Sequence, residues 1–507
     1  MSKSKFTIIF GLLAVGLTSC GRFQGRAEEG AGNGKVSFML VDTSGNPLSG
    51  DGAGKIVERM REWTGVDVDF IYVPTDQYEA KLSETLKNPG GAPMIMHVNK
   101  MNQEIVKAAN DGLFWDLNEF IWDPEKYPNL SKANRNVCRS LEVNGKLIGI
   151  YKARDIGRNG LSYRTDWAER LGIPEPKTPE DVYEMMRAFT YGDPDGNGVD
   201  DTWGLAMCNY TGPFDIIQTW FGCGNGWAEE NGKIVPVHQT AAYKDALDWL
   251  RTLYSEGLIP RDWREREAKT WQAQVTGGHA GVFIDVMDGG RRIWDNLVTN
   301  KVPSVSNPGK TAGMTLTGSI NGATLATSGY NGFLVVTKTA DRETVEKCLH
   351  YLDKMCDDEM VVMAAYGLEG IHYELKGGNI VRAADHKKTS SDYSALNQAQ
   401  CFIPNVLNNA KPSLAQDERK KKEIQVIKDN EKVAVFNPAV SYLANSPTYA
   451  KEGGKLDKII SEARTKYICG EMNEAGLQDA FDQWNKGGGT AVLSEVNEQY
   501  RAEKEKE

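Results

Sequence analysis

The chain has 507 residues, of which 40% are hydrophobic and 25% are charged, and its formal net charge is -10. A chain of this length can bury an ample core, and it predicts two or more domains because single domains usually hold about 100 to 200 residues. The negative net charge disfavours nucleic acid or an anionic membrane surface as the main partner. No segment after residue 20 is long and apolar enough to predict a membrane span.

The first twenty residues have the pattern of a bacterial lipoprotein signal. Lys3 and Lys5 give a basic start, residues 6–16 form an apolar run too short to span a bilayer, and Leu17-Thr-Ser-Cys20 places small residues before a cysteine. This ending predicts that Cys20 becomes the lipid-carrying N-terminus, so that the mature protein is extracytoplasmic and anchored to the cell membrane. The alternative is an ordinary secretory signal with an incidental cysteine, and in both cases the chain leaves the cytoplasm.

Residues 21–34 are rich in glycine and short polar residues and show no hydrophobic period, which predicts a flexible tether. Alternating strand and helix patterns follow at once. Strands are predicted at 36–41, 66–72 and 94–98, with helices at 56–63 and about 76–87 between them. This alternation predicts a parallel sheet with helices on its faces, which is an α/β fold that binds ligands at the carboxyl ends of its strands.

Two later helices have clear signals. The first is predicted to begin at Thr178, which can cap it, with Pro179 at the first helical position and an apolar face formed by Val182, Met185, Met186 and Phe189. The second has apolar residues at helical spacing from Tyr243 to Tyr254, and Gly257 is placed to end it.

Residues 193–204 have the ligand spacing of an EF-hand-type calcium loop. Oxygen-bearing side chains occupy positions 1, 3, 5 and 9, and a glycine occupies the sixth position, where such a loop turns sharply: Asp193, Asp195, Asn197, Asp201 and Gly198. Position 12 is Gly204, so the bidentate glutamate of a full EF-hand is missing, and a remote carboxylate or a water would have to complete the shell. The alternative is a plain turn in which Asp and Asn side chains bond their own backbone.

The helix and loop together carry a family resemblance. Arg164, Asp166, Trp167, Leu171 and Gly172, followed by the segment 193–205, resemble in order and spacing the extracellular solute-binding protein family 1, the lipoproteins that capture ligands for ABC importers. The resemblance extends to the Gly277–Gly281 turn, to Tyr366–Gly370 with His372 and Tyr373, and to residues 467–500. It covers nearly all of the chain after about residue 35.

The resemblance implies a type II binding-protein fold, in which two α/β lobes are joined by chain crossings and a cleft shuts on the ligand. The chain is expected to leave the first lobe near 157–163 and to return near 330–336. The expected lobes are 35–158 with 331–395, and 159–330 with 396–507. A ligand that touches both lobes stabilises the closed state, which an importer can then recognise.

The resemblance also bears on calcium and on the ligand. In this family the calcium of such a loop is structural and lies away from the cleft, and Val199 would add its backbone carbonyl. The twelve tryptophans favour a carbohydrate, because large rings stack on the C–H faces of sugars. The predicted ligand contacts are Trp220, Trp271, Trp294, Asp285, Arg154 and Arg158.

Trp271 and Trp294 flank residues 277–285, which resemble the family's turn that reaches the cleft, and Asp285 can accept hydrogen bonds from sugar hydroxyls. Arg154 and Arg158 lie at the expected first crossing and suit a carboxylated or polyhydroxyl ligand. For each tryptophan the alternative is core packing, and for the arginines it is a structural salt bridge.

The sequence gives no specific support for an enzyme, although its 69 acidic residues include many pairs that a glycosidase could use. The six histidines are scattered, and the sequence has no HExxH, GxSxG or P-loop motif. The hypothesis is therefore a lipid-anchored, monomeric receptor that binds a sugar or oligosaccharide without chemistry and passes it to the permease subunits of an ABC transporter. The alternative is a surface polysaccharide-processing enzyme or an adhesion module, and a peptide or organic acid ligand also stays open.

The cysteines after Cys20 number seven and form no CxxC pair. A core of this size does not need disulfides even outside the cytoplasm. We therefore predict that these cysteines are mostly free, buried thiols.

Overall fold

The computed structural model describes residues 34–45, 47–404, 406 and 410–505. The predicted signal segment, the lipidated Cys20 and the tether before Gly34 lie outside the described residues. Among the described residues, no helix has both the length and the apolar character needed to cross a membrane.

Strands and helices alternate from Val36 to Asn110, as the periodicity predicts for the part up to Val98, and a further helix and three short strands follow up to Ala153. In chain order they are β1 (Val36–Asp42), α1 (Ala53–Thr64), β2 (Val68–Pro74), α2 (Tyr78–Lys87), β3 (Ile95–Val98), α3 (Gln103–Asn110), α4 (Arg135–Arg139), β4 (Glu142–Val143), β5 (Lys146–Leu147) and β6 (Ile150–Ala153). The predicted helices at 56–63 and 76–87 are confirmed as α1 and α2.

The next part of the chain builds a second group of elements. They are β7 (Asn159–Arg164), α5 (Thr165–Leu171), α6 (Pro179–Tyr191), β8 (Trp203–Leu205), α7 (Gly212–Trp220), β9 (Trp227–Glu230), β10 (Lys233–Pro236), α8 (Ala241–Ser255), α9 (Trp271–Thr276), β11 (Ala280–Val286), α10 (Met287–Thr299), β12 (Met314–Gly318) and β13 (Thr324–Leu325). Helix α6 begins with the predicted cap: the Thr178 side chain accepts a hydrogen bond from the Asp181 backbone, and the Asp181 side chain accepts one from the Thr178 backbone.

The remaining elements complete both groups. They are β14 (Tyr330–Val336), α11 (Arg342–Met355), α12 (Asp358–Tyr366), β15 (Tyr373–Lys376), β16 (Asn379–Arg382), α13 (His386–Thr389), α14 (Glu418–Glu431), β17 (Ala434–Val435), α15 (Val440–Ala444), α16 (Pro447–Ile468), α17 (Glu474–Trp484) and α18 (Thr490–Lys504).

Two sheets form the centres of two lobes. The first has the strand order β2-β1-β3-β14-β6, in which β1, β2 and β3 are parallel and β14 runs antiparallel to both β3 and β6. The second has the order β12-β7-β11-β8, in which β7 runs antiparallel to β11 and β12. Because β14 follows the strands of the second sheet in the chain, the first sheet is completed only after the chain has passed through the second sheet. The fold is the predicted two-lobed α/β fold.

Each lobe has its own apolar core. The core of the first sheet contains Phe38, Ile95 and Leu334, and that of the second contains Trp167, Phe189 and Leu250. The apolar faces predicted for α6 and α8 are buried in the second core, because residues three and four apart lie on one side of a helix.

The chain passes between the lobes in short segments held by asparagine side chains. The Asn430 amide donates to the backbone oxygens of Gly157 and Asn159 at 2.9 Å each. The Asn225 amide donates to the carbonyl oxygens of Ala326 at 3.2 Å and Val435 at 3.0 Å. These bonds satisfy the backbone where it leaves one sheet before joining the other.

The core of the first lobe continues past residue 395, the end that the sequence predicts for it. Leu396, Ala399, Cys401 and Ile403 are buried in that core. The physical reason is that the backbone N–H of Ala153 donates to the Cys401 carbonyl oxygen at 2.7 Å, so this segment lies along the edge of the first sheet. The lobe boundaries themselves stay predictions.

The seven described cysteines are all free, and all but Cys469 are buried. Burial raises the pKa of Cys138 and of Cys348 to about 12, which keeps both thiols protonated and unreactive at neutral pH. The prediction of mostly free, buried thiols is confirmed for the described cysteines.

Candidate functional site

The carboxyl ends of several strands meet where the lobes are joined. In the first lobe β14 pairs Tyr330 with Ala153 and Phe333 with Val98, so β1, β3 and β6 end at one edge. In the second lobe the start of β7 lies beside the end of β11, because Asn159 pairs with Val286. We call these the cleft edges of the two sheets. The segment 154–158 between them can span at most about 20 Å, so the two edges lie near each other.

Tyr210 gives the second lobe an aromatic surface at its cleft edge. It follows β8, its side chain is 50% exposed, and its ring meets the edge of the Trp271 ring at 5.9 Å between centroids. Trp271 itself is only 5% exposed, and its Nε1 donates to the Ala206 carbonyl oxygen at 2.9 Å. The accessible ring is therefore Tyr210, which is absent from the predicted contacts. Its position in the loop that follows the short strand β8 is the signal that could have indicated it.

Asp285 lies beside this aromatic surface, near the end of β11. Burial raises the pKa of its carboxyl to about 6, while the nearby Arg158 guanidinium acts in the opposite direction. Burial and the charge of Asp285 together raise the pKa of Tyr210. A half-buried carboxylate next to an exposed ring can accept a hydrogen bond from a sugar hydroxyl while the ring covers the sugar's C–H face.

The two predicted arginines have different surroundings. Arg158 forms a bidentate ion pair with Asp288, with Nε–Oδ1 at 2.7 Å and Nη2–Oδ2 at 2.8 Å, and Arg292 also contacts Asp288. Arg158 therefore forms a structural salt bridge, which the sequence analysis gave as the alternative to a ligand contact. Arg154 is exposed and makes no ion pair with any described residue, so its guanidinium is available to a ligand.

Arg154 also lines a cavity of about 270 Å³ between the lobes. Its other walls include Tyr151 of β6, Asp155 of the first crossing, and Lys428 and Glu431 of α14. The lining has both positive and negative charges, so its composition does not by itself favour an anionic occupant over a polyhydroxyl one.

The structure buries Trp220 in the second core and places Trp294 at the edge opposite to the cleft. Trp220 is 1% exposed in the core of the second lobe, where it meets Trp249 at 6.3 Å and 76° between rings. The Trp294 ring lies over Gly313, just before β12. Because Met314 pairs with Arg164, the last residue of β7, that position is at the edge opposite to Asp285. Neither ring shares a surface with Asp285 or Arg154, and we do not retain them as ligand contacts.

The predicted calcium loop folds around its own polar groups. Asp193 adopts a left-handed φ of 47°, its Oδ2 accepts from the Gly198 N–H at 3.2 Å, and its Oδ1 is buried without a described partner. The Asn197 amide nitrogen lies 2.8 Å from Asp195 Oδ2 and 3.3 Å from Asp201 Oδ1. Burial raises the pKa of Asp195, as do the neighbouring carboxyls of Asp193 and Asp201.

Within the described ranges no group of three or more His, Cys, Asp or Glu side chains meets the geometry of a metal site. In this loop the Asn197 amide stands between the carboxylates of Asp195 and Asp201. Gly204, at position 12, packs so closely on α6 that a Cβ there would lie 2.5 Å from the Met186 Cβ. The glutamate of a full EF-hand is therefore sterically excluded at that position. The orphaned Asp193 oxygen and the repelling carboxyls nevertheless fit a hard cation, which prefers oxygen ligands.

Comparisons with known proteins agree with this architecture. The chain is 31% identical over 508 residues to lipoprotein LipO of Bacillus subtilis, covering 97% of each chain. It is 28% identical over 519 residues to the polygalacturonan/rhamnogalacturonan-binding protein YtcQ of the same organism, covering 99% of this chain and 100% of the other. No family model matches the chain.

Solved structures share the fold at low sequence identity. An HMO binding ABC-transporter associated solute binding protein from Bifidobacterium longum infantis superposes with a TM-score of 0.64 at 16% identity, covering 92% of this chain and 99% of that one. An EF-hand mutant of the S. pneumoniae ABC-transporter substrate binding protein FusA, in complex with fructo-nystose, gives a TM-score of 0.53 at 18% identity, covering 93% and 100%.

Proposed function

Because this chain belongs to the substrate-binding lipoproteins of bacterial ABC importers, we propose that it captures an oligosaccharide between its two lobes and delivers it unaltered to an ABC importer. The observation that carries the saccharide assignment is the half-exposed Tyr210 ring beside the Asp285 carboxylate at the cleft edge. Together they offer the stacking face and the hydroxyl acceptor that a sugar needs.

Saccharides that contain uronate units are the first class to test. One relative that matches 99% of this chain is named for binding polygalacturonan and rhamnogalacturonan. In this chain the unpaired Arg154 guanidinium, at the crossing between the lobes, suits a carboxylate. A neutral fructo-oligosaccharide is the second class, in view of the structural neighbour in complex with fructo-nystose.

Binding without chemistry is part of the proposal. The relatives are named as binding proteins, and two buried histidines, His97 and His238, are unsuited to acid catalysis. His97 is buried with its pKa lowered to about 3, chiefly by burial, and His238 likewise to about 4. Neither imidazole can carry a proton near neutral pH, so neither suits general acid catalysis.

Anchoring and calcium complete the proposal. Cys20 carries the lipid that holds the receptor at the outer face of the cell membrane, in keeping with the relative named a lipoprotein. Residues 193–204 bind a structural calcium ion through Asp193, Asp195, Asn197 and Asp201, with the backbone oxygen of Val199. A half-turn of the Asn197 amide would present its oxygen, in place of its nitrogen, to the ion.

The lobes are proposed to close about the crossing segments. The first lobe comprises residues 35–158 and 331–395, with the segment up to Ile403 packed on its core, and the second comprises 159–330 and the remaining C-terminal residues. A ligand that contacts both cleft edges stabilises the closed arrangement by its additional contacts.

The proposal is tested by titrating the chain that begins at residue 21 with defined saccharides and following its melting temperature. Oligogalacturonides, rhamnogalacturonan fragments, kestose and malto-oligosaccharides form the panel, and each bound saccharide is recovered and weighed by mass spectrometry. A ligand at 100 times its Kd stabilises the folded state by about 2.7 kcal/mol. Stabilisation with intact recovery supports the receptor, recovery of shortened saccharide supports an enzyme, and no response to any saccharide contradicts the proposed ligand class.

A further inference from the structure

A buried histidine and a buried aspartate form a pair beneath the connection between β1 and α1. The Nδ1 of His372 accepts a hydrogen bond from the Leu368 N–H at 2.9 Å. Its Nε2 must then carry the ring proton, and it lies 2.9 Å from Oδ2 of Asp392. Both side chains are almost fully buried, and the ring of Tyr393 packs edge-on against His372 at 5.0 Å between centroids. The donor and the acceptor of this bond are therefore fixed by the surrounding backbone.

The Asp392 carboxylate is pressed against two glycines. A Cβ at Gly50 would lie 1.6 Å from Asp392 Oδ1, and a Cβ at Gly52 would lie 2.2 Å from Oδ2. Only glycine allows the chain to approach the carboxylate so closely at these two positions. The backbone of residues 50–52 therefore packs directly against the Asp392 carboxylate.

The Asp392 carboxylate also places a negative charge at the N-terminus of α1. Gly52 is the N-cap of this helix and gives it no side-chain cap, and the first turn contains no acidic residue. The unpaired N–H groups and the dipole at a helix N-terminus favour a negative charge there. Asp392 supplies that charge from the short turn Ser390–Asp392, which packs on α1 from a distant part of the chain.

The segment that Asp392 supports lies where a ligand is expected in the first lobe. It connects the carboxyl end of β1 to α1, and β1 lies in the interior of the sheet, between β2 and β3. In sheets of this kind ligands bind beyond the carboxyl ends of the strands. Asp51, between the two glycines, is exposed and can accept hydrogen bonds from hydroxyl groups.

We propose that His372 and Asp392 are positioning residues that fix residues 50–52 at the cleft edge, and that Asp51 and the adjacent backbone are the first lobe's contact with saccharide hydroxyls. This inference rests on the proposed saccharide-binding function. It also gives a role to the segment Tyr366–Gly370 with His372. Gly367 has a φ of 80°, and a Cβ there would lie 2.4 Å from the His372 ring, so this glycine leaves room for the imidazole.

The two amide variants of His372 separate positioning from packing. In His372→Gln the side-chain amide can still donate at the place of Nε2, whereas in His372→Asn it keeps only the acceptor for the Leu368 N–H. We expect His372→Gln to keep the Kd for the oligogalacturonide mixture within about threefold of wild type, and His372→Asn and Asp392→Asn to weaken it at least tenfold. Equal or better binding by His372→Asn than by His372→Gln would overturn the inference.

Asp353→Asn is the matched control for Asp392→Asn. Asp353 is also a buried carboxylate that packs against the backbone of another segment. Asp353 is 1% exposed, and its Oδ1 accepts from the N–H groups of Asn129 at 2.9 Å and Leu130 at 2.8 Å, a segment separate from 50–52. Its substitution is expected to lower the melting temperature and to leave the Kd within twofold. A loss of affinity equal to that of Asp392→Asn would show a general structural effect and overturn the inference.

Amide hydrogen exchange gives a readout that does not depend on the ligand. Asp392→Asn should accelerate exchange in peptides covering residues 50–56, and Asp353→Asn should not. If wild type binds no saccharide in the panel, the proposed function fails, and the exchange result still decides whether Asp392 positions the segment. Unchanged exchange at 50–56 in Asp392→Asn would overturn that positioning role.

Discussion

Arg164 and Asp166 form a bidentate ion pair, with Nε–Oδ1 and Nη2–Oδ2 both at 2.9 Å and both side chains only 3% exposed. Asp166 Oδ2 also accepts from the Val305 N–H at 3.2 Å, and the Arg164 guanidinium lies 5.0 Å from the centre of the Trp167 ring. Arg164 ends β7 at the edge opposite to the cleft. The Arg-x-Asp-Trp segment therefore joins the loop before β12 to the second sheet, which is a structural role.

Breaking this pair should destabilise the protein strongly. Asp166→Asn leaves the Arg164 charge buried with only part of its hydrogen bonding, and such losses typically cost about 3–5 kcal/mol. The free energy of unfolding in urea measures the effect. Asp111→Asn, in the exposed pair with Lys107, is the control and should cost less than about 1 kcal/mol. Similar small losses for both variants would contradict a structural role for the buried pair.

The aromatic surface at the second cleft edge should contribute directly to affinity. Tyr210→Ala removes the exposed ring and is expected to weaken saccharide binding about tenfold, or about 1.4 kcal/mol, with little change in melting temperature. Isothermal titration calorimetry with the panel saccharide that binds best measures it. Tyr210→Phe should retain most of the affinity. Tyr191→Ala, which removes a 62% exposed ring beside the calcium loop, should bind as wild type. Wild-type affinity in Tyr210→Ala would exclude the ring from the site.

Asp285 should make stability depend on pH. Its folded-state pKa of about 6 lies above the ordinary 3.8, so the folded state binds the proton more tightly than the unfolded state. Stability is therefore greatest below pH 3.8 for this group and falls as pH rises through about 6. This pKa shift corresponds to a loss of at most about 3 kcal/mol in the free energy of unfolding. Because Asp285 is partly accessible to solvent, we expect a loss of about 1–2 kcal/mol.

The Asp285→Asn variant tests whether the buried carboxylate destabilises the fold and whether it binds the saccharide. Compared with wild type, it should gain about 1–2 kcal/mol of unfolding free energy at pH 7.5 and little at pH 4, because no charge is buried. Its saccharide affinity should fall, since an amide oxygen accepts hydroxyl hydrogen bonds less strongly than a carboxylate. A variant that is less stable at pH 7.5, or that binds as wild type, would refute this account of Asp285.

Calcium should stabilise the fold through residues 193–204. We expect calcium to raise the melting temperature of wild type and a chelator to reverse the gain, whereas Asp193→Ala with Asp195→Ala should melt alike in both conditions. Asp200→Ala, at a position that supplies no ligand in this spacing, should respond as wild type. Asn197→Asp should bind calcium more tightly, because it adds a charged ligand. Equal melting of wild type with calcium and with chelator would contradict the calcium proposal.

Local patterns predicted the elements well because their causes are local. The apolar spacing in α6 and α8 and the Thr178 cap act within a few residues, so they can be read before the chain folds. The tryptophans illustrate the opposite case. Tyr210 lies just before α7 and Trp220 ends it, yet Trp220 is buried against Trp249 and Tyr210 is exposed beside Trp271. Whether an aromatic residue is buried or exposed depends on its tertiary neighbours, which the residue type alone does not predict.

The amino-acid sequence by itself determined the α/β class, the order of the elements and the loop spacing suited to calcium, because periodicity and ligand spacing are properties of consecutive residues. Only the tertiary structure decided which side chains meet at the cleft edges. It placed Asp392 at the N-terminus of α1, buried Leu396 and Ile403 in the core of the first sheet, and separated Trp294 from Asp285. These relationships depend on contacts between distant parts of the chain, whose geometry is set by the packing of whole sheets and helices.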